Sequence, residues 1–461
     1  MRLEPLPITF RESEVNQIMD LLRAGESCAV VGIGSVGKSN FLRFLEREDV
    51  RRATLGQAWN TYLFPYIDPN KLIEQTLWGL FELMLHQLII SLTDHGADSA
   101  TLQMVDEYHQ RSIAASSRDL ALRYVDRATR IVCRQLGLQV VFLIDEFDNL
   151  CRTLPARGFA VLRALRDDHK YQVMYVVAMR SELAHLREEA AVIEPFEELI
   201  SPNTIWLGPY SEADARCMLQ RLEARHSIHL DEGTTCHLLA ATGGHPGLLR
   251  AAYQVAMERP PDLSGALARD SRVQDECRRI WLSLTREEQR TMALSISRTV
   301  VAPEHADNLA QLRHKGMIGG PWAGSGEAFA PLFAQYVLCE KPIIGGHIHV
   351  DRQRHTVWIG EHAIKDLTAL EYKLVEYLEG KRGQVCSRDE LAWHLYPEDR
   401  AQGAGGVPDE RLDAIVKRVR QRIDAASDGQ RYIFTVRGQG FRLTDGDESA
   451  RHRIPSETTT P

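Results

Sequence analysis

From Glu12 to about Tyr210, short β-rich apolar runs alternate with amphipathic stretches, the pattern of a parallel sheet with helices on both faces. The runs are residues 27–31, 61–67, 139–144, 172–179 and 204–207, each closed by polar or Gly/Pro residues before a helix. Their carboxyl ends should line one edge, where open sheets of this kind bind ligands. The most apolar helical stretch, residues 71–92, holds Glu74, Glu82, His86 and Gln87 within its run. Hydrocarbon would penalise those side chains, so the stretch predicts a buried core helix and no membrane contact.

Beyond Pro209 only helical periodicity remains: residues 211–226, then 231–241, a Gly-Gly-His-Pro-Gly break at 243–247, and a further helix through Met257. This predicts a small helical lid. Pro260 and Pro261 open a mixed segment to about residue 342, with helices expected at 273–284, 286–295 and 307–315, a size that suits a winged-helix unit. A new unit of about 100 residues follows, within the usual domain range. It reads strands, helix, helix, flexible loop, helix, hairpin. The tail from Asp447 is polar without apolar period and is expected to be disordered.

Composition sharpens this only in part. The chain has 461 residues, 44% hydrophobic and 26% charged, the balance of a globular protein with several cores. The net charge of −8 argues against a surface coated in nucleic acid, and confines any DNA contact to a local basic face. The eight cysteines form no CxxC pair, which excludes the usual zinc and redox motifs and fits a reducing cytoplasm. The opening MRLEPLPITFRESE lacks the apolar stretch of a secretory signal, so a cytoplasmic location is expected.

The decisive chemistry is Gly32-Ile33-Gly34-Ser35-Val36-Gly37-Lys38-Ser39, a GxxxxGK[ST] loop between a strand and a helix. Backbone N–H groups from Gly32 to Asn40, including those of Gly34, Ser35, Val36 and Gly37, would converge on phosphate oxygens at a helix N-terminus. Lys38 would neutralise the β/γ-phosphates, and Ser39 would offer its hydroxyl to Mg²⁺. The run QVVFLI at 139–144 ends in Asp145-Glu146 at the same sheet edge. Asp145 would hold the metal, and Glu146 would orient or deprotonate the attacking water. Asp145-Glu146 alone also reads as a helix N-cap. Arg180 would reach the γ-phosphate from the next strand, or form a surface ion pair. Pro246 would pack on adenine, or simply turn the chain between helices. ATP or ADP with Mg²⁺ is the cofactor set these residues predict.

With Arg11-Glu12, GIGSVGKS, FLIDEFDNL, the strand ending in AMRS, WLGPYSEADA and TGGHPGLL, residues 8–340 resemble a STAND-type ATPase, akin to archaeal ATPases and AAA+ relatives. That resemblance implies a winged-helix segment after the lid and a switch between a closed ADP form and an open, often oligomeric ATP form. The family's phosphate-sensing histidine has no clear counterpart in the winged-helix segment. Arg163 and Arg166 are only candidates for an arginine finger, and helix ion pairs explain them as well.

From Leu367, LTALEYKLVEYL, SRDELAWHLY, the RVRQRI helix and TVRGQGFRL resemble the OmpR-type winged-helix domain of response regulators, over about residues 345–445. No receiver domain accompanies it. Residues 411–442 carry eight basic against three acidic side chains. Arg411, Ala414, Lys417 and Arg418 share one helix face, with Leu412, Ile415, Val416, Val419 and Ile423 on the core side. That face would enter the major groove of double-stranded DNA, and Arg437 on the wing would touch phosphate or the minor groove. A protein-docking role for the same domain stays open, and the loop 398–408 is a candidate contact for RNA polymerase.

The expected fold class is α/β: a P-loop NTPase core (1–210), a helical lid (211–260), a winged-helix segment (261–342), an OmpR-type winged helix-turn-helix domain (343–446) and a tail (447–461). The expected function is a slowly hydrolysing signalling ATPase whose nucleotide state controls a DNA reader, in transcriptional regulation. The rival readings are a DNA-remodelling or replication-loader ATPase and a nucleotide-gated scaffold that docks a protein.

Overall fold

The computed structural model describes residues 5–115, 117–183, 190–297, 305–319, 322, 327–340, 348–352, 354–359, 362–364, 367–397, 409–426, 432–436 and 438–444. The chain divides into two compact units, Met1–Cys339 and Glu340–Pro461.

The first unit is built on a parallel sheet of β1 (Cys28–Val31), β2 (Tyr62–Leu63), β3 (Tyr66–Ile67), β4 (Gln139–Ile144), β5 (Val173–Met179) and β6 (Thr204–Trp206). Their order is β2-β4-β5-β1-β6, with β3 also on β4. Every pairing is parallel. β1 and β5 are buried along their whole length, as sequences such as CAVV and VMYVVAM require when helices cover both sheet faces.

Residues 61–67, read as one strand, form two. Pro65 lies between them and has no N–H to give, while its carbonyl still accepts from Leu143 N–H at 3.0 Å. The apolar helix runs Leu77–His95 rather than 71–92. Its start is set by Thr76, whose side chain accepts from Gly79 N–H, and by Gly79 itself, where a Cβ would lie 2.2 Å from the Glu74 carbonyl oxygen. Buried Glu82 in this helix is met by His109 Nε2 at 2.7 Å, so its carboxylate has a partner in an otherwise apolar layer. His109 belongs to helix Ser99–Ala115, which packs with Arg118–Arg130 against the same face.

Helices Glu212–His226, Glu232–Thr242 and Pro246–Met257 follow and pack on one another. They are followed by Leu263–Arg269, Ser271–Leu282, Arg286–Ile296 and Ala306–His314, an Ile318–Ala328 antiparallel bridge, and Pro331–Glu340. Helix Ala306–His314 is held against the sheet unit. Gln311 Nε2 donates to Glu182 Oε2 at 2.9 Å, and the His314 ring stacks on Trp206 at 5.3 Å.

The second unit opens with antiparallel β7 (Ile348–Asp351), β8 (Thr356–Ile359) and β9 (His362–Ile364). Helices Ala369–Gly380, Arg388–Leu395 and Asp409–Ala426 follow, with β10 (Val385–Cys386), β11 (Ile433–Val436) and β12 (Gly440–Leu443) closing a second small sheet. Thr368/Glu371 and Ser387/Glu390 are reciprocal capping boxes, which explains why the first two helices begin where they do. Gly440, at φ 141, lets β12 reach β10; a Cβ there would stand 2.0 Å from the Cys386 carbonyl oxygen. Among the described residues no helix is long and apolar enough to cross a membrane.

Candidate nucleotide cleft and DNA-facing helix

β1 ends at Val31 and the chain turns through the glycine-rich loop into helix Lys38–Glu46. Gly37 takes φ 97, a left-handed conformation that leads the chain into the helix. At Gly32 a Cβ would approach the Leu207 carbonyl oxygen to 2.7 Å, so the close packing of the loop on the residue that follows β6 needs glycine. Lys38 Nζ donates to the carbonyls of Gly32 (2.6 Å) and Ile33 (3.0 Å), drawing the ammonium under the loop. Burial there pushes its pKa down to about 8, against the opposing pull of Asp148.

A cleft of about 270 Å³ brings together residues from segments far apart in sequence, among them Lys38, Ser39, Asp145, Glu146 and Arg180. Gly34, Ser35, Gly37 and Asn40 also line it, whereas Gly32 and Val36 are buried behind the loop. Asp145 is buried. Its Oδ2 accepts from Tyr66 Oη at 2.7 Å and its Oδ1 from Glu146 N–H at 2.9 Å, so one carboxylate is aimed by two donors. Glu146 sits at φ 40, a strained conformation for a residue with a side chain, and its Oε2 accepts from Asn149. Arg180 is positioned through its backbone, whose N–H donates to both oxygens of buried Asp148 at 2.9 and 3.0 Å.

Several of these residues escaped the sequence reading. Tyr66 and Asp148 orient Asp145 and Arg180, and Gly247, Arg250, Glu276 and Arg279 close the cleft. Pro246 is buried at the first turn of its helix, and it is Gly247 and Arg250 that form the wall there. The histidine before it does more. His245 Nδ1 accepts from Leu248 N–H, so Nε2 carries the proton and donates to the Gly34 carbonyl at 3.0 Å. Complete burial holds its pKa down at about 3, so it stays neutral.

Arg11, from the Arg-Glu start, donates to the Gly208 carbonyl at 2.8 Å and lies over the Tyr210 ring. A second hollow of about 860 Å³ shares Asn40 and Arg250 with the cleft and is walled by Phe10, Phe44, Tyr210 and Tyr253. Both finger candidates have local partners. Arg163 pairs with Asp167 and Glu198 at 2.9 and 3.1 Å; Arg166 is buried beside Asp167.

In the second unit, Leu412, Ile415, Val416, Val419 and Ile423 are buried, while Arg411, Ala414, Lys417 and Arg418 are exposed. The basic excess is not all available to a ligand. Arg418 and Arg422 pair through Nε with the two oxygens of buried Glu371, at 3.4 and 3.3 Å. Arg420 donates to the Ile433 carbonyl and to Thr435 Oγ1 of the hairpin. The Arg411 guanidinium lies 4.2 Å over the Tyr396 ring. Arg437, Arg431, the loop 398–408 and the tail 447–461 lie outside the described residues.

Residues 10–257 match the family described as Novel STAND NTPase 1, and residues 362–443 match the transcriptional regulatory protein C-terminal family. Among curated proteins, the two-component response regulator PhoP of Pseudomonas aeruginosa is 32% identical over 106 residues, 23% of this chain and 44% of PhoP. The sensory transduction protein RegX3 of Mycobacterium leprae is 36% identical over 99 residues, 21% of this chain and 46% of RegX3. The chain thus spans less than half the length of these relatives. Among solved structures, the Walker-type ATPase PABY2304 of Pyrococcus abyssi is similar at 18% identity and TM-score 0.42, covering 73% of this chain and 100% of that one. The Klebsiella pneumoniae RstA DNA-binding domain in complex with the RstA box is similar at 20% identity and TM-score 0.19, covering 22% and 94%.

Proposed function

The chain belongs to the Novel STAND NTPase 1 family and ends in an OmpR-type DNA-binding domain, and from that premise we propose that it is an ATP-dependent switch governing a transcriptional regulator. The observation that carries the reading is the convergence of Lys38, Ser39, Asp145, Glu146 and Arg180 on one cleft at the carboxyl edge of the sheet.

Backbone amides of the loop and the Lys38 ammonium bind the phosphates, and Arg180 meets the terminal one. The donor set fits a hard divalent cation: Asp145 is buried and pre-aimed by Tyr66, and Ser39, in the first turn of helix Lys38–Glu46, lines the same cleft. When bound, Mg²⁺ would neutralise charge building up on the transferred phosphoryl group. Glu146 accepts a proton from the attacking water, or holds that water in line. Slow turnover suits a switch that must persist in its triphosphate form. The nucleoside lies in the aromatic hollow that shares Asn40 and Arg250 with the cleft, rather than on Pro246.

Phosphate beside Lys38 favours its charged form, so the pKa of the bound state exceeds the free value of about 8. Binding then takes up a proton above that pH. Affinity for ATP is expected to be level below about pH 7 and to fall as pH rises through 8, by up to about tenfold per unit. Titration calorimetry in buffers of different ionisation enthalpy would read the uptake directly; no uptake at pH 8.5 would remove Lys38 from the phosphate site.

DNA is gripped by helix Asp409–Ala426, with Ala414 and Lys417 on its exposed face. Lys417→Ala is expected to weaken binding about equally across sequences and to lower the slope of log affinity against log salt by about 1. A mobility-shift series at several salt concentrations checks it. The switch itself is tested by genomic footprinting with the wild type and Lys38→Ala. Identical occupancy in both would leave DNA binding without nucleotide control.

A further inference from the structure

Helix Ser271–Leu282 presents Glu276 and Arg279 to the cleft. It ends on Ser283, whose Oγ accepts the Gly34 N–H at 2.9 Å, while the carbonyl of the same Gly34 is taken by His245. Both backbone polar groups at the crest of the phosphate loop are therefore held by residues outside the core. Gly247 leaves no slack between them: a Cβ there would stand 2.5 Å from Glu276 Oε2 and 2.8 Å from Ser35 Cβ. The Glu276 carboxylate is thus lodged against the crest of the loop. Its Oε1 accepts from Arg279 at 2.9 Å. Its Oε2 is shielded from solvent and has no hydrogen-bond partner among the described residues.

A bare carboxylate oxygen at the rim of an anion site contributes nothing to holding phosphate, and its field opposes each negative charge brought near it. Lys38 and Ser39 lie at the helix end of the cleft, while Glu276 and Arg279 close it beside Gly34 and Ser35. A longer phosphate chain reaches further towards that pair. We propose that Glu276 and Arg279 are the residues that discriminate a nucleoside triphosphate from a diphosphate in this site, a proposal that rests on the nucleotide-switch reading above. A diphosphate leaves the Glu276–Arg279 pair closed and Ser283 seated on Gly34. A terminal phosphate competes with Glu276 for the Arg279 guanidinium and repels the carboxylate. The triphosphate is accepted fully only when helix Ser271–Leu282 lifts from the loop. Repulsion by Glu276 favours ADP, and attraction by Arg279 favours ATP.

The two substitutions should therefore act with opposite sign. In the full chain, displacement of a fluorescent nucleotide by ADP and by a non-hydrolysable ATP analogue gives the affinity ratio of the two. Glu276→Gln is expected to raise the preference for the triphosphate about tenfold, and Arg279→Gln to lower it by a similar factor. Ser283→Ala is expected to speed release of ADP without reversing the preference. Loss of a merely structural ion pair would move both glutamine variants the same way, and that result, or no change in either ratio, overturns the proposal. If either glutamine variant fails to fold, the remaining one must still shift the ratio in its own direction. A wild-type chain that binds neither nucleotide would sink the switch reading and this proposal with it, whereas tight binding of both with unshifted ratios would sink this proposal alone.

Discussion

Lys38→Ala is expected to weaken ATP and ADP binding by roughly 100- to 1000-fold, the range for deleting one member of a close charge-assisted pair. Among the described residues the Lys38 ammonium hydrogen-bonds to carbonyls of its own loop, so the fold should survive and the loss should be one of binding. Calorimetry with each nucleotide measures it. The unit Glu340–Pro461, with its own core around Leu374, Leu391, Val419 and Phe441, should bind DNA as tightly when expressed alone as it does in the variant chain. Affinity for ATP within threefold of wild type would remove the phosphate loop from the mechanism.

The second large effect is on stability. Lys315 and Glu288 form an ion pair at 2.5 Å with each side chain 1% exposed. Glu288 is already committed: its backbone N–H donates to Thr285 Oγ1 and its Oε2 accepts the Thr285 N–H, closing a capping box. Lys315→Ala would leave that carboxylate buried without its cation, at a cost of about 3–5 kcal/mol, whereas replacing both members by apolar residues of similar volume should cost far less. Urea unfolding of the full chain reads the difference. A loss below about 1 kcal/mol for Lys315→Ala would mean that water reaches the site. Because helix Ala306–His314, just before Lys315, is tied to the sheet unit through Gln311 and His314, the same variant should loosen that attachment too.

The parallel arrangement in the second unit is informative. Glu371 is again a buried glutamate at the third position of a capped helix, and again it meets cations, here Arg418 and Arg422 of helix Asp409–Ala426. Helical spacing puts Arg418 on the face expected to meet DNA, yet in the fold its guanidinium also pairs with Glu371. Helical spacing reports which residues share a face. It does not report which of them a neighbouring carboxylate has already engaged.

Much of the candidate nucleotide cleft was legible because its residues come in short contiguous runs. The glycine-rich loop is a contiguous stretch that sets its glycines, Lys38 and Ser39 side by side, and Asp145-Glu146 follows directly on the apolar run of β4. The OmpR-type unit was legible for the same reason: caps, apolar period and wing glycines are all short-range signals. The breaks near Pro65 and Gly79 were not, since a split strand and a delayed helix start depend on which carbonyl each residue meets.

What the amino-acid order determined, then, is the glycine-rich loop between strand and helix, the alternating sheet-and-helix core and the separate OmpR-type unit, because each rests on contacts within a few residues. Only the tertiary structure decided that Tyr66 aims Asp145, that Asp148 fixes Arg180, and that His245, Glu276 and Ser283 close on the loop crest. Those partners lie 32 to 249 residues apart along the chain. Nothing local selects them, and sheet order and helix packing alone bring them within hydrogen-bond reach.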